Sequence, residues 1–294
     1  MRPAIVQEDF PLSKLTTIGT GGPARYFARP RETGDLHACL AWAAAEEIRV
    51  RVVGLGSNLL PADAGFGGLV LRLDGALAAI EIDPPFVRCG GGASLAAIVS
   101  KTRDAGLSGI EFGCAIPGTV GGAVRMNAGA YGRETREALV EAVVVSARGT
   151  RSGGPDELGL RYRGSDLAPD EVVARAVLRL TPADPADIRA TIRGMQDRRT
   201  AAQPRKARTF GSVFKNPPGD RTSGQLLEAC GLKGFAIGGA RISPRHANFI
   251  ENDGTATSAD VVALMAEARR RARERFGVEL EHEVELLGDI AIPV

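Results

Sequence analysis

The residues with the most evident chemical potential in this chain are its glycines. There are 37 in 294 residues, roughly one in eight, against an average usage of about 7 per cent. They show neither a period of three nor a Ser/Gly tract, which excludes collagen and a flexible linker. Seventeen lie between Gly54 and Gly132, thirteen of them grouped as Gly54-Leu55-Gly56-Ser57-Asn58, Asp63 to Gly68, Cys89-Gly90-Gly91-Gly92 and Cys114 to Gly132. Loops of this kind let peptide groups approach a ligand without an intervening Cβ. Successive N–H groups can then cradle phosphate oxygens, above all where a helix begins. Gly118-Thr119-Val120-Gly121-Gly122 leads into a short helical stretch through Met126 and is the predicted pyrophosphate cradle.

The common phosphate and nucleophile motifs do not explain these loops. Gly19-Thr20-Gly21-Gly22-Pro23-Ala24 fits G-x-G-x-x-A in form, but an aromatic extended run, Arg25-Tyr26-Phe27, follows it instead of a helix, so a Rossmann unit is rejected. G-x-x-x-x-G-K-[ST] and G-x-S-x-G do not occur. A large phosphate-bearing cofactor held by non-Rossmann loops fits what is left, and FAD has that size.

Composition narrows the classes further. The formal net charge is +2, and the densest basic run, Arg269 to Arg275, alternates with Ala and Glu as a solvated helix face does, so no nucleic-acid partner is expected. Cys39, Cys89, Cys114 and Cys230 form no C-x-x-C pair; neither a disulfide framework nor a metal site is expected. The first residues carry no apolar signal-peptide core, and no apolar stretch approaches 18 residues. The expectation is a cytoplasmic protein that does not insert into a membrane.

The elements that must carry these loops form an α+β pattern. Helices are predicted over Thr33–Glu47, from a Ser94 cap to Ala105, over Ala186–Arg199, from a Thr222 or Ser223 cap to Cys230, and over Ser258–Phe276 with Gly277 as its stop. Strands are predicted at Arg49–Val53, Gly68–Leu73, Ala79–Ile82, Phe86–Cys89, Leu139–Ala147 and Val172–Leu180. The alternating tail Val278–Leu287 reads as one half-exposed strand. A boundary falls at Thr181–Pro185. It divides residues 1–182, in subdomains of about 1–74 and 75–182, from residues 183–294, whose tail 278–294 is expected to pack back toward the first part.

Five ordered stretches carry a family resemblance. Gly54-Leu55-Gly56-Ser57-Asn58-Leu59-Leu60 and Ile116-Pro117-Gly118-Thr119-Val120-Gly121-Gly122-Ala123 resemble the two FAD-contact loops of the vanillyl-alcohol-oxidase (PCMH) type of flavin domain. Met126 to Gly132, Gly211-Ser212-Val213-Phe214-Lys215-Asn216-Pro217 and His246-Ala247-Asn248-Phe249-Ile250-Glu251-Asn252 resemble the UDP-N-acetylenolpyruvoylglucosamine reductases (UDP-N-acetylmuramate dehydrogenases). The similarity extends from about Thr16 to Gly288. It implies an FAD-binding domain followed by an α+β substrate domain, expected as a monomer. Gly54, Leu55, Gly56, Ser57, Asn58, Leu59, Ile116, Pro117, Gly118, Thr119, Gly121, Gly122 and Ala123 would hold FAD. The implied reaction passes hydride from NADPH through FAD to the enolpyruvyl ether of UDP-N-acetylglucosamine, a step of peptidoglycan precursor synthesis. In this reading Ser212 is the proton donor, Arg163 the enolate-stabilising cation and Glu283 the glutamate beside the carboxylate; Lys215, Asn216 and His246 contact the substrate.

From the residues alone these roles are open. A Gly-Ser pair reads equally as a turn, Arg163 as a surface charge, and Glu283 does not stand apart from Glu279, Glu281 and Glu285. Another FAD oxidoreductase on the same scaffold, such as a sugar or alcohol oxidase, and a non-enzymatic nucleotide-binding module are the alternatives. Only 48 residues separate Arg163 from Ser212, which resembles the shorter form of the family, without the tyrosine-bearing segment that covers the substrate.

Overall fold

The computed structural model describes residues 1–204 and 207–293. The chain forms two compact units, each drawn from separate stretches of sequence. One comprises Met1–Glu8, Tyr26–Leu55 and Gly68–Arg199; the other comprises Asp9–Arg25, Gly56–Gly67 and the described chain from Thr200.

The first unit is built on a five-stranded antiparallel sheet in the order Gly149–Gly153, Leu139–Ser146, Val172–Arg179, Phe86–Gly90, Ile80–Asp83. Its two long strands are rich in valine, a residue that suits a pleated, buried surface. Val87, Cys89, Ala142, Val144, Ala176 and Leu178 join one core, with residues of helices α2 (Leu95–Asp104) and α3 (Val120–Arg125). Val145, Val172 and Ala174 join a second core. Leu36, Cys39, Leu40 and Ala43 of α1 (Thr33–Ala45) complete it. The parallel pair Val50–Val52 and Phe66–Leu71 delivers the chain into the Gly54 loop. The Ser94 hydroxyl accepts the Ala97 N–H at 3.2 Å and starts α2 where the sequence expects it.

Helix α4 (Pro185–Ala202) was expected to open the C-terminal part. Instead it buries Ile188, Ile192 and Met195 in the first unit's core, so that unit continues to Arg199. The prolines around residue 182 mark where a helix can begin; they do not decide which core receives its apolar face.

The second unit holds α5 (Ser223–Ala229), α6 (Ser258–Phe276) and a three-stranded antiparallel sheet, Ala236–Ile237, Ala240–Ile242 and Ile250–Asn252. Val261, Leu264, Met265, Ala268 and Ala272 form the buried stripe of α6 at helical spacing. Thr257 caps it in a capping box with Asp260, and it ends at Gly277. The tail departs from the strand expected over Val278–Leu287. Only Glu285–Leu287 is a strand, paired in parallel with Leu59–Pro61; no regular strand runs from Val278 to Val284. Alternation alone does not make a strand where only three residues of partner edge are on offer. No helix among the described residues is long and apolar enough to cross a membrane.

Asp63 adds a second anchor to α6. Its carboxylate oxygens accept the N–H groups of Ser258 and Ala259 at 2.8 and 2.9 Å, at the positive end of the helix dipole. Asp63→Ala should cost about 1 kcal/mol, as removal of an N-terminal cap does, and lower Tm by roughly 2–4 °C. An unchanged Tm in differential scanning calorimetry would show that the anchor contributes nothing.

Candidate active site

The first unit contains a cavity of about 270 Å³ lined by Gly54, Leu55, Gly91, Gly92, Thr119, Gly121 and Gly122 together with Arg29, Arg72, Asp74, Arg125 and Glu171. Backbone forms much of the wall because side chains have no room. A Cβ on Gly91 would lie 1.8 Å from the Val173 carbonyl, and one on Gly54 would lie 2.5 Å from the Thr119 hydroxyl. The Gly91 N–H donates to Ala174 at 2.8 Å, and its carbonyl accepts the Gly121 N–H at 2.8 Å, so this residue joins the sheet to the start of α3. The Val120 N–H donates to Ala93 at 2.9 Å. Two of the amides expected to cradle a phosphate, those of Val120 and Gly121, therefore hold the loop together. The Thr119 hydroxyl, the Gly122 backbone and the arginines are among the groups that the cavity presents to an anion.

Those features suit part of a flavin dinucleotide: a backbone-lined floor with cations at its wall. The volume lies just below the range of about 300–1,000 Å³ typical of whole small-molecule sites. Of the residues expected to hold FAD, Gly54, Leu55, Thr119, Gly121 and Gly122 line this cavity. Ile116, Pro117, Gly118 and Ala123 belong to the same loop and helix in the same unit, and Gly56, Ser57, Asn58 and Leu59 fall in the other unit. Gly91 and Gly92 were visible in the sequence only as a glycine cluster. Arg29, Arg72, Arg125 and Glu171 carry no spacing that signals them. Arg125 donates to the carbonyls of Leu167, Ala168 and Glu171, and Arg151 pairs with Glu171 through two contacts of 2.9 and 3.1 Å, which holds the Glu171 carboxyl below its usual range.

Arg163, also in the first unit, sits at the third position of a tight turn closed by reciprocal bonds between Arg161 and Gly164. Its φ is 54°, a left-handed conformation that an arginine adopts only under constraint. The surroundings supply the constraint. Its guanidinium donates to the Gly129 carbonyl at 2.8 Å, lies 3.8 Å from the Glu134 carboxylate and stacks 4.8 Å from the Tyr162 ring centre; the side chain is 17 per cent exposed. Fully buried Asn127 ties this together, donating to Glu134 at 2.7 Å and to the Arg161 carbonyl at 3.2 Å and accepting the Arg136 N–H at 2.9 Å. The Met126-to-Gly132 stretch is thus the mount of Arg163.

In the second unit the segments of Ser212 and Glu283 are adjacent. The Glu283 N–H donates to the Val213 carbonyl at 2.8 Å, and the Lys215 N–H to the Glu281 carbonyl at 2.9 Å. Val213 is fixed in turn by an N–H bond to Asn248 at 2.9 Å, and the Asn248 side chain bonds both the N–H and the carbonyl of Phe214. The four tail glutamates now separate: Glu283 is half-buried while Glu279, Glu281 and Glu285 are exposed. Glu279 lies 3.5 Å from Arg273, and Glu281 pairs with Lys215.

The residues expected to contact substrate have structural partners of their own. Lys215 is in that ion pair with Glu281. The Asn216 side chain accepts the Ser223 N–H at 3.1 Å and so helps to start α5. His246 packs edge-on against Phe249, and its Nδ1 accepts the Asn248 N–H at 3.2 Å, which puts the proton of the neutral ring on Nε2. Burial, with Lys233 nearby, lowers its pKa below 6.5. The NMR titration midpoint of His246 should accordingly fall below that value; a midpoint above it would contradict the buried setting. The depressed value means that any stabilisation it lends is present above the unfolded-state pKa and is lost as the pH falls through the folded one.

Comparison with known proteins agrees with this architecture. The family model described as UDP-N-acetylenolpyruvoylglucosamine reductase, C-terminal domain, matches residues 203–287, and one described as FAD binding domain matches residues 24–152. The UDP-N-acetylenolpyruvoylglucosamine reductase 2 of Symbiobacterium thermophilum is 43% identical over 288 residues, covering 97% of this chain and 93% of its own. The reductase of Sphingopyxis alaskensis is 44% identical over 280 residues, covering 95% and 93%. The crystal structure of the Thermus caldophilus UDP-N-acetylenolpyruvylglucosamine reductase superposes with a TM-score of 0.83 at 36% identity, covering 96% of this chain and 98% of that one. The expected α+β flavin-domain fold is borne out, and the chain belongs to the UDP-N-acetylenolpyruvoylglucosamine reductase family.

Proposed function

We propose that this chain reduces the enolpyruvyl ether of UDP-N-acetylglucosamine to UDP-N-acetylmuramate, with NADPH as reductant and Arg163, Ser212 and Glu283 as the catalytic residues. FAD, when bound, supplies hydride to the terminal alkene carbon. Residues 1–182 serve the cofactor and residues 183–294 the substrate, a division of ligands that differs from the division of packing. The protein acts as a cytoplasmic monomer.

The observation that carries the reading is the half-buried Glu283, held by its own N–H to the residue that follows Ser212. Hydride arrival at the terminal carbon drives charge onto the neighbouring carbon and its carboxylate, and fixed groups are needed there. Arg163 supplies a cation that is already shared with the Gly129 carbonyl and, at 3.8 Å, with Glu134. That sharing tempers its pull. A serine hydroxyl is a weak acid, so Ser212 can protonate the carbon only if the intermediate stays strongly basic and water is excluded. Burial disfavours the charged form of His246, and Lys215, already paired with Glu281, meets the substrate diphosphate as a partly neutralised cation. An oxidase on this scaffold would need a base where Ser212 stands.

Ser212→Ala separates the two halves of the reaction. Stopped-flow spectra should show the flavin of the variant bleached by NADPH as in the wild type, but reoxidised by the UDP-sugar at least about 10²–10⁴-fold more slowly, the usual share of general acid catalysis. Reoxidation at the wild-type rate would remove Ser212 from the proton-donor role.

A further inference from the structure

We infer that Asn58 is a positioning residue for Glu283, so that the loop expected to cradle the cofactor also fixes the C-terminal tail. The inference rests on the catalytic reading of Glu283. Asn58 touches the tail twice, across 225 residues of sequence: its side-chain Nδ2 donates to the Glu283 carbonyl at 3.0 Å, and its own carbonyl accepts the Glu285 N–H at 3.1 Å. The Glu285 N–H contact opens the parallel pairing of Leu59–Pro61 with Glu285–Leu287, and the Ala62 N–H bond to the Leu287 carbonyl at 2.8 Å closes it. Glu283 therefore stands outside the strand ladder. Its peptide is held by two bonds, its N–H on Val213 and its carbonyl on the Asn58 amide.

The residue type follows from that geometry. The clasp needs a side-chain N–H donor on a stem short enough for the same residue's carbonyl to meet the chain two positions further on. Aspartate matches the shape of asparagine but offers only acceptors, which would face the Glu283 carbonyl oxygen. Glutamine would carry the donor one carbon too far. The Glu283 peptide would then lose the bond to its carbonyl, and displacements of about 1 Å can cost on the order of 10²-fold in rate.

Asn58→Asp and Asn58→Ala are the tests, read in two ways. In flavin-free protein, hydrogen–deuterium exchange across residues 279–287 should quicken in both variants while α6 exchanges as in the wild type, which reports an intact fold. In flavin-loaded protein, the rate of reoxidation by the UDP-sugar divided by the rate of reduction by NADPH, each per bound flavin, should fall about ten- to a hundredfold. Unaltered tail exchange with an unaltered ratio overturns the inference. So does loss of flavin with the ratio preserved, which would make Asn58 a cofactor ligand alone. If the wild-type flavin is not reoxidised by the UDP-sugar, the proposed function fails first and this inference with it; if it is and the variants match it, only the inference fails.

Discussion

Gly91 has no room for a side chain, and the architecture of the first unit turns on that constraint. With the Val173 carbonyl 1.8 Å from where a Cβ would stand, its peptide lies against the central strand of the sheet and simultaneously receives the Gly121 N–H. The start of α3 is thereby brought onto the sheet, Thr119 lies against Gly54, and a backbone-lined cavity opens where these peptides meet. Glycine serves here less as a flexible residue than as one that permits peptide-to-peptide approach. Some of the N–H groups so exposed, those of Val120 and Gly121, are consumed in building the wall.

The catalytic residues are mounted by a different device. Arg163 and Glu283 are each held through hydrogen bonds with neighbouring residues. Arg163 is strained into a left-handed turn that Asn127, Gly129 and Glu134 brace, and Glu283 is bracketed by Val213 and Asn58. Such supports explain why the motif stretches are longer than their reactive residues. Met126 to Gly132 serves Arg163, and the asparagines Asn58 and Asn248 lock the backbone that carries Glu283 and Ser212.

Helix starts were legible because cap chemistry is local. Ser94, Thr222 and Thr257 accept the amides three residues on, as their types require. The fold class was legible through the glycine loops and the valine-rich strands. What escaped depends on partners distant in sequence. The tail alternates like a strand from Val278, but its partner edge is three residues long. The apolar face of α4 is plain, yet the core that accepts it lies in the first unit. Glu283 is half-buried where its three neighbours are exposed, and its peptide is bonded to Val213 and Asn58. Arg29, Arg72 and Arg125 reach the cavity wall from three separate segments, with no spacing to link them. The assignment of Arg163, Ser212 and Glu283 came from resemblance, because neither positive φ nor an adjacency across 70 residues can be read from one-dimensional pattern.

The most direct test of the account is an anaerobic titration of the purified wild-type protein. It should carry a yellow flavin, bleach on addition of NADPH, and recover its oxidised spectrum with one equivalent of UDP-N-acetylglucosamine enolpyruvate, yielding one equivalent of UDP-N-acetylmuramate. A reduced flavin that the UDP-sugar leaves bleached, with no lactyl ether formed, would contradict it.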